Sequence, residues 1–176
     1  MRAARSTANA RAACYILSTM KTLLRSLLYL ALIVWLGAEM FFPVVAAVTF
    51  MTVPDTHLAG TVVAHLIRIL HNMGFVSGIV ALIVLALAPA WNIYRSKTVL
   101  APMVLLVIMI ACTAYSQWGI IPAMERDRIA AGGAINTQDR ANPLVADFNR
   151  LHNRSTLVEE TVLLLGIATV VLVAYA

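Results

Sequence analysis

Leu58 to Ala90 reads LAGTVVAHLIRILHNMGFVSGIVALIVLALAPA, a run of 33 residues in which Arg68 is the only permanent charge. At about 1.5 Å per residue such a run makes roughly 50 Å of helix. A bilayer core is only about 30 Å thick. If Pro89 and Trp91 mark one interface, His71 falls near the other, and His57 to Leu70 projects beyond it. The stretch therefore reads as a membrane helix that outruns the membrane on one side.

Three further runs support that reading. One extends from about Leu23 to Val53, one from Val99 to Ile121 with no charge, and one from about Leu157 to the C-terminus. Each is long enough to cross the core as a helix, because backbone groups in lipid must be satisfied within the segment. A transmembrane barrel would show short alternating segments instead. Of the 176 residues, 61% are hydrophobic and 12% charged. Average soluble domains carry about 25% charge. A small soluble domain cannot hide that much apolar surface, and a disordered chain or a disulfide scaffold is excluded by the same composition, with two cysteines in all. Cys14 and Cys112 fall far apart, so no disulfide is expected.

The expected fold is all-α: an integral membrane four-helix bundle with helices extended on the non-cytoplasmic side. Its spans are about 23–53, 60–90, 99–121 and 156–175. A polar extracytoplasmic connection covers 122–155, and residues 1–21 form a flexible basic flank before the membrane domain 22–176. Within the connection, 123–131 is a good helix former stopped by Gly132-Gly133, and Asn142-Pro143 reads as an N-cap with proline in the first turn. The loop proper is then about 134–141.

Orientation follows from basic residues in short flanks. Arg2, Arg5, Arg11, Lys21 and Arg25 precede the first run, Arg95 and Lys97 follow the second, and 54–60 has neither Lys nor Arg. This places both termini in the cytoplasm and the chain in the cell (inner) membrane. The arginines of 122–156 oppose that assignment, but they are mixed with Glu125, Asp127, Asp139 and Asp147. The net charge of +5 reads as retention signal and headgroup contact rather than a nucleic-acid surface. Met20-Lys21-Thr22 looks like a natural start, and a signal peptide over Lys21 to Ala47 is the competing reading of the first run.

Ionisable residues inside a membrane are functional candidates. Glu39 lies past the midplane counted from Arg25, at the depth of Thr113, Ser116 and Gln117 on the third run. Two readings stand: a polar clamp between spans one and three through Thr113 or Ser116, or a proton or cation site. A second constellation sits in the polar crown, where Arg68, His71, His152 and Glu159 are expected to converge. It is either an interfacial hydrogen-bonded network or a pair of imidazoles, His71 and His152, able to hold haem, copper or zinc. No spaced metal-ligand motif backs the second reading. Gly74 and Gly78 form G-x-x-x-G, which serves either packing within the bundle or a homo-oligomer contact.

Several groups of residues carry a family resemblance. They are Leu36-Gly37, Phe41-Phe42 and Thr49-Phe50; His71-Asn72-Met73-Gly74; Tyr115-Ser116-Gln117-Trp118 leading into Ile121-Pro122-Ala123-Met124 and Arg126 or Arg128; and Phe148-Asn149-Arg150-Leu151-His152 followed by Ser155. Over about Leu23 to Val173 the chain resembles the bacterial membrane family called domain of unknown function 4149, similar to human transmembrane protein 205. The resemblance implies a four-span fold and no settled activity, and it draws attention to the two-histidine crown. Glu39 is not part of the pattern. More distantly the chain looks like the copper-resistance D and membrane haem-protein families, an analogy of fold alone.

No nucleophile–base pair, phosphate loop or nucleotide motif is present, which points away from an enzyme. The expected function is a non-enzymatic accessory or scaffolding membrane component. The alternatives are a haem- or transition-metal-binding protein using the histidine pair, and a small-solute or cation carrier using Glu39. No cofactor is firmly implied. The bilayer is the one partner the composition demands.

Overall fold

The computed structural model describes residues 2–133, Ile135 and 142–176. Among the described residues five α-helices follow one another: α1 Arg2–Thr52, α2 Thr56–Leu87, α3 Ser96–Tyr115, α4 Ile121–Ala130 and α5 Pro143–Ala174. A π-helical turn, Ser116–Ile120, joins α3 to α4 without interrupting the rod. No strand occurs among the described residues. Four rods, Tyr15–Thr52, Thr56–Leu87, Ser96–Ala130 and Pro143–Ala174, are long and apolar enough to cross a membrane. The chain is an all-α, multi-pass membrane bundle.

α1 is helical from Arg2, so the basic flank over 2–21 runs into the apolar rod without a break. The physical reason is local: residues 2–22 contain no proline or glycine and are rich in alanine, the best helix former. The loop expected over 134–141 lies outside the described residues, apart from Ile135.

The helix ends have chemical causes. Asp55 caps α2 by accepting from the His57 and Leu58 amides, and Asn142 caps α5 by accepting from the Leu144 amide, with Pro143 in the first turn. Gly132 and Gly133 take φ of 81° and 91°, and the Gly133 amide reaches back to the Arg128 carbonyl at 2.8 Å, closing α4.

Two ends of the bundle can be told apart. The base end carries the 88–95 connection. There Arg25 donates to the Ile93 carbonyl at 3.1 Å and lies over the Tyr94 ring at 5.3 Å. The crown end carries the α1–α2 connection, α4 and the first turns of α5. One core runs from the base upward around Leu28, Leu32, Trp35, Leu85, Leu106, Met109 and Val162.

Gly74 and Gly78 face inward. A Cβ on Gly74 would stand 2.7 Å from Trp35 Nε1, and one on Gly78 2.7 Å from Trp35 Cζ3 and 2.9 Å from Ile110. The G-x-x-x-G face is therefore filled inside the chain by an indole. Gly166 similarly lets α5 lie against Leu36 of α1. Above that contact, α1 and α5 both line a cavity.

Candidate functional site

The polar layer of the bundle is built by four rods at one level. Trp35 and Glu39 are four apart on α1, so they share a face, and the indole Nε1–H donates to Glu39 Oε1 at 3.2 Å. Glu39 is 5% exposed. On α2, the seating of Gly74 and Gly78 on Trp35 turns His71, one turn crownward, to the same interior, where it is fully buried. On the third rod the π turn matters. An α-helix would splay neighbours by about 100°, yet Ser116 and Gln117 both engage interior partners. Wide turns of this kind recur at functional positions.

These residues converge on α5. His71 Nδ1 meets Gln117 Oε1 at 2.8 Å, and His71 Nε2 meets Glu159 Oε1 at 2.9 Å. Ser116 Oγ also donates to Glu159 Oε1, at 2.9 Å. With Gln117 presenting its carbonyl, Nδ1 carries a proton and donates. A proton between Nε2 and Oε1 then belongs to the pair, which is neutral overall whichever atom holds it. Glu159 Oε2 is fully buried and has no hydrogen-bond partner. Such an atom is costly where water is scarce.

Several expected partnerships differ from those observed. Glu39 does not bond Thr113 or Ser116: its partner is Trp35, while Thr113 turns its hydroxyl to the Met109 carbonyl and Ser116 serves Glu159. Arg68 lies on the exposed face of α2, away from the buried His71. His152 is exposed and stacks on Phe148, with ring centroids 6.4 Å apart. It stands seven residues from Glu159 on α5, about 10 Å of helix, whereas His71 is level with Glu159. Both nitrogens of His71 are engaged. The two imidazoles are thus offset along the bundle, and among the described residues no group of three His, Cys, Asp or Glu is disposed to hold a metal. Of the four crown residues singled out, only His71 and Glu159 meet.

Above this layer lies a cavity of about 650 Å³ between the crown-end halves of α1 and α2, α4 and α5. Its walls are mostly apolar: Phe42, Pro43, Ala46 and Phe50 of α1, Val63, Ala64 and Ile67 of α2, Ile121 and Met124 of α4, and Phe148 and Leu163 of α5. Glu39 and Glu159 stand at the inner end. At the crown, Arg128 holds Glu125 through two bonds of 2.7 and 3.0 Å and reaches Thr61 Oγ1 at 2.7 Å. His57 Nδ1 lies 2.7 Å from the Gly133 carbonyl. Glu39, Glu125, Glu159 and Glu160 all line the cavity, and they are the only glutamates of the chain. Arg128 is the one Lys or Arg among the described lining residues. In a chain of net charge +5, every glutamate is thus gathered around one cavity. Sequence reading missed Glu125, Glu160 and the cavity. The Trp35–Glu39 pair was available from its spacing of four.

The family model for the domain of unknown function DUF4149 matches residues 30–128. The match includes Glu39, His71, Ser116 and Arg128 and ends before α5, which carries Glu159. No curated protein matches the chain, and no solved structure does. The further likeness to human transmembrane protein 205 therefore stays an expectation.

Proposed function

We propose, for a chain that belongs to the family of the domain of unknown function DUF4149, a non-enzymatic role as a membrane protein that binds a small amphiphile in the cavity at the crown end. The single observation that carries this reading is the cavity itself: about 650 Å³, apolar in its walls, with two glutamates at its inner end. Ligand sites are typically of about 300–1,000 Å³, mostly apolar with a few convergent polar groups. A bundle that served only as a scaffold would gain nothing from an open apolar chamber over buried carboxyls. An accessory role in a larger assembly is compatible with ligand binding, and turnover is not required. The histidine-pair metal reading draws no support from a His71 bonded on both nitrogens.

In this reading the crown lies on the non-cytoplasmic face of the cell membrane and both termini are cytoplasmic. Lys21, Arg25, Arg95 and Lys97 cluster toward the base end, as the positive-inside rule favours. A reporter fused after Ala176 should be active in the cytoplasm, and activity outside would reverse the orientation.

Binding is tested on the full chain in phosphatidylcholine nanodiscs, by equilibrium dialysis against dodecylammonium, dodecanol and dodecanoate, with empty discs as reference. At least one probe should show saturable excess binding, and Ala64→Trp, which fills the wall, should abolish it. No saturable excess for any of the three overturns the reading.

A further inference from the structure

The geometry points to the chemical class of the ligand: a single-chain amphiphile with a primary ammonium head, seated at Glu39 and Glu159, its tail leaving sideways between α1 and α5. This rests on the reading of the cavity as a binding site. Charge comes first. The His71–Glu159 pair is neutral as a unit, and Arg128 compensates Glu125. Glu39 takes part in no ion pair among the described residues, and its one hydrogen bond comes from a neutral indole. The inner end thus has room for one positive charge.

Hydrogen-bonding capacity comes next. An ammonium head carries three donors and no acceptor. Three acceptors meet it. The Glu39 carboxyl is one. Glu159 Oε2, buried and without a partner, is the second. The third is the main-chain carbonyl of Glu39. In a helix it would accept from the amide four residues on, but that residue is Pro43, which has no N–H. A trimethylammonium head would bring charge and no donors, leaving these three acceptors without one. A hydroxyl would bring one donor and no charge.

The path of the tail follows from exposure. Pro43 and Phe50 on α1, and Thr156 and Glu160 on α5, line the cavity and are themselves exposed. The cavity is therefore open between these two rods, above the contact of Leu36 with Gly166. Glu160 sits at its rim and favours approaching cations over anions.

The test uses the full chain in phosphatidylcholine nanodiscs and compares dodecylammonium, dodecyltrimethylammonium and dodecanol by equilibrium dialysis. Dodecylammonium should bind at least about tenfold more tightly than the other two. Glu39→Gln keeps an oxygen for the Trp35 indole and should weaken dodecylammonium by about tenfold while leaving dodecanol unchanged. Pro43→Ala favours the helix and returns an amide to the Glu39 carbonyl, so it guards against a folding defect; it should weaken dodecylammonium by a smaller factor. Saturable binding of dodecanol or the trimethyl analogue equal to that of dodecylammonium overturns the head-group assignment and leaves the cavity reading standing. Full dodecylammonium affinity in both variants overturns the seat. No saturable binding of any of these probes overturns the assignment, and if dodecanoate does not bind either it overturns the cavity reading as well.

Discussion

His71 Nε2 and Glu159 Oε1, 88 residues apart in sequence, lie 2.9 Å from each other, with the imidazole fully buried and the carboxyl side chain 15% exposed. This contact ties α2 to α5 across the interior. Removing one partner leaves the other buried and uncompensated, at a cost of about 3–5 kcal/mol.

His71→Leu and Glu159→Leu should each destabilise the protein by about that amount. The double variant should recover much of the loss, because neither polar group then remains. Denaturant or thermal unfolding in mild detergent gives the cycle. A coupling below about 0.5 kcal/mol would mean the two side chains act independently.

Gly74→Ala puts a Cβ 2.7 Å from Trp35 Nε1, and Gly78→Ala one at 2.7 Å from Trp35 Cζ3. An indole is rigid and cannot yield as a flexible side chain would. Each change should cost about 1–3 kcal/mol by overpacking. Gly37→Ala is the control: nothing lies within 4 Å of its Cβ, and it should be neutral or gain up to about 1 kcal/mol from helix propensity. Melting temperatures of the three variants decide the matter. Equal losses at all three glycines would contradict the packing described.

Arg128→Lys keeps the charge and discards the planar fork that engages Glu125 and Thr61. The loss should be about 1 kcal/mol and local to the crown. Hydrogen exchange should quicken in Ile121–Ala130 and in the first turns of α2, while the base end is unaffected. Uniform quickening along all helices would show that the fork is not what fastens α4 to α2.

Burial holds the Tyr94 phenol above the ordinary tyrosine value; Tyr29 adds to this, and Arg25 opposes it. Arg25→Ala removes the opposing charge, so the phenol should titrate higher still, and the base end should lose its bond to the Ile93 carbonyl. An ultraviolet titration of the phenolate should record the upward shift. A downward shift would show that Arg25 does not act on Tyr94.

The fold was legible because lipid leaves the chain few options. Four apolar runs, the excess length of Leu58–Ala90, Gly132-Gly133 and Asn142-Pro143 each carry their own physical cause. The site was legible only in part. Counting residues from presumed interfaces put His71 level with His152, yet the axial register is set by Gly74 and Gly78 against Trp35, and it brings His71 level with Glu159 instead. Hydropathy does not contain that register. The gathering of every glutamate around one cavity is a property of the folded rods, since Glu39, Glu125 and Glu159-Glu160 lie far apart in sequence.

The π turn at Ser116–Ile120 amounts to one residue more than an α-helix of the same length would need. Its effect is one of rotational phase. Everything after it is turned by about 100° relative to an uninterrupted helix. Deleting Gly119 would let the turn relax to an α-helix and swing α4 round with it, carrying Arg128 away from Thr61 and moving Ile121 and Met124 off the cavity wall. The polar layer and the crown are thus geared to one another through a single surplus residue, and a change of length there would be felt at both places at once, whereas a change of side chain would be felt at one.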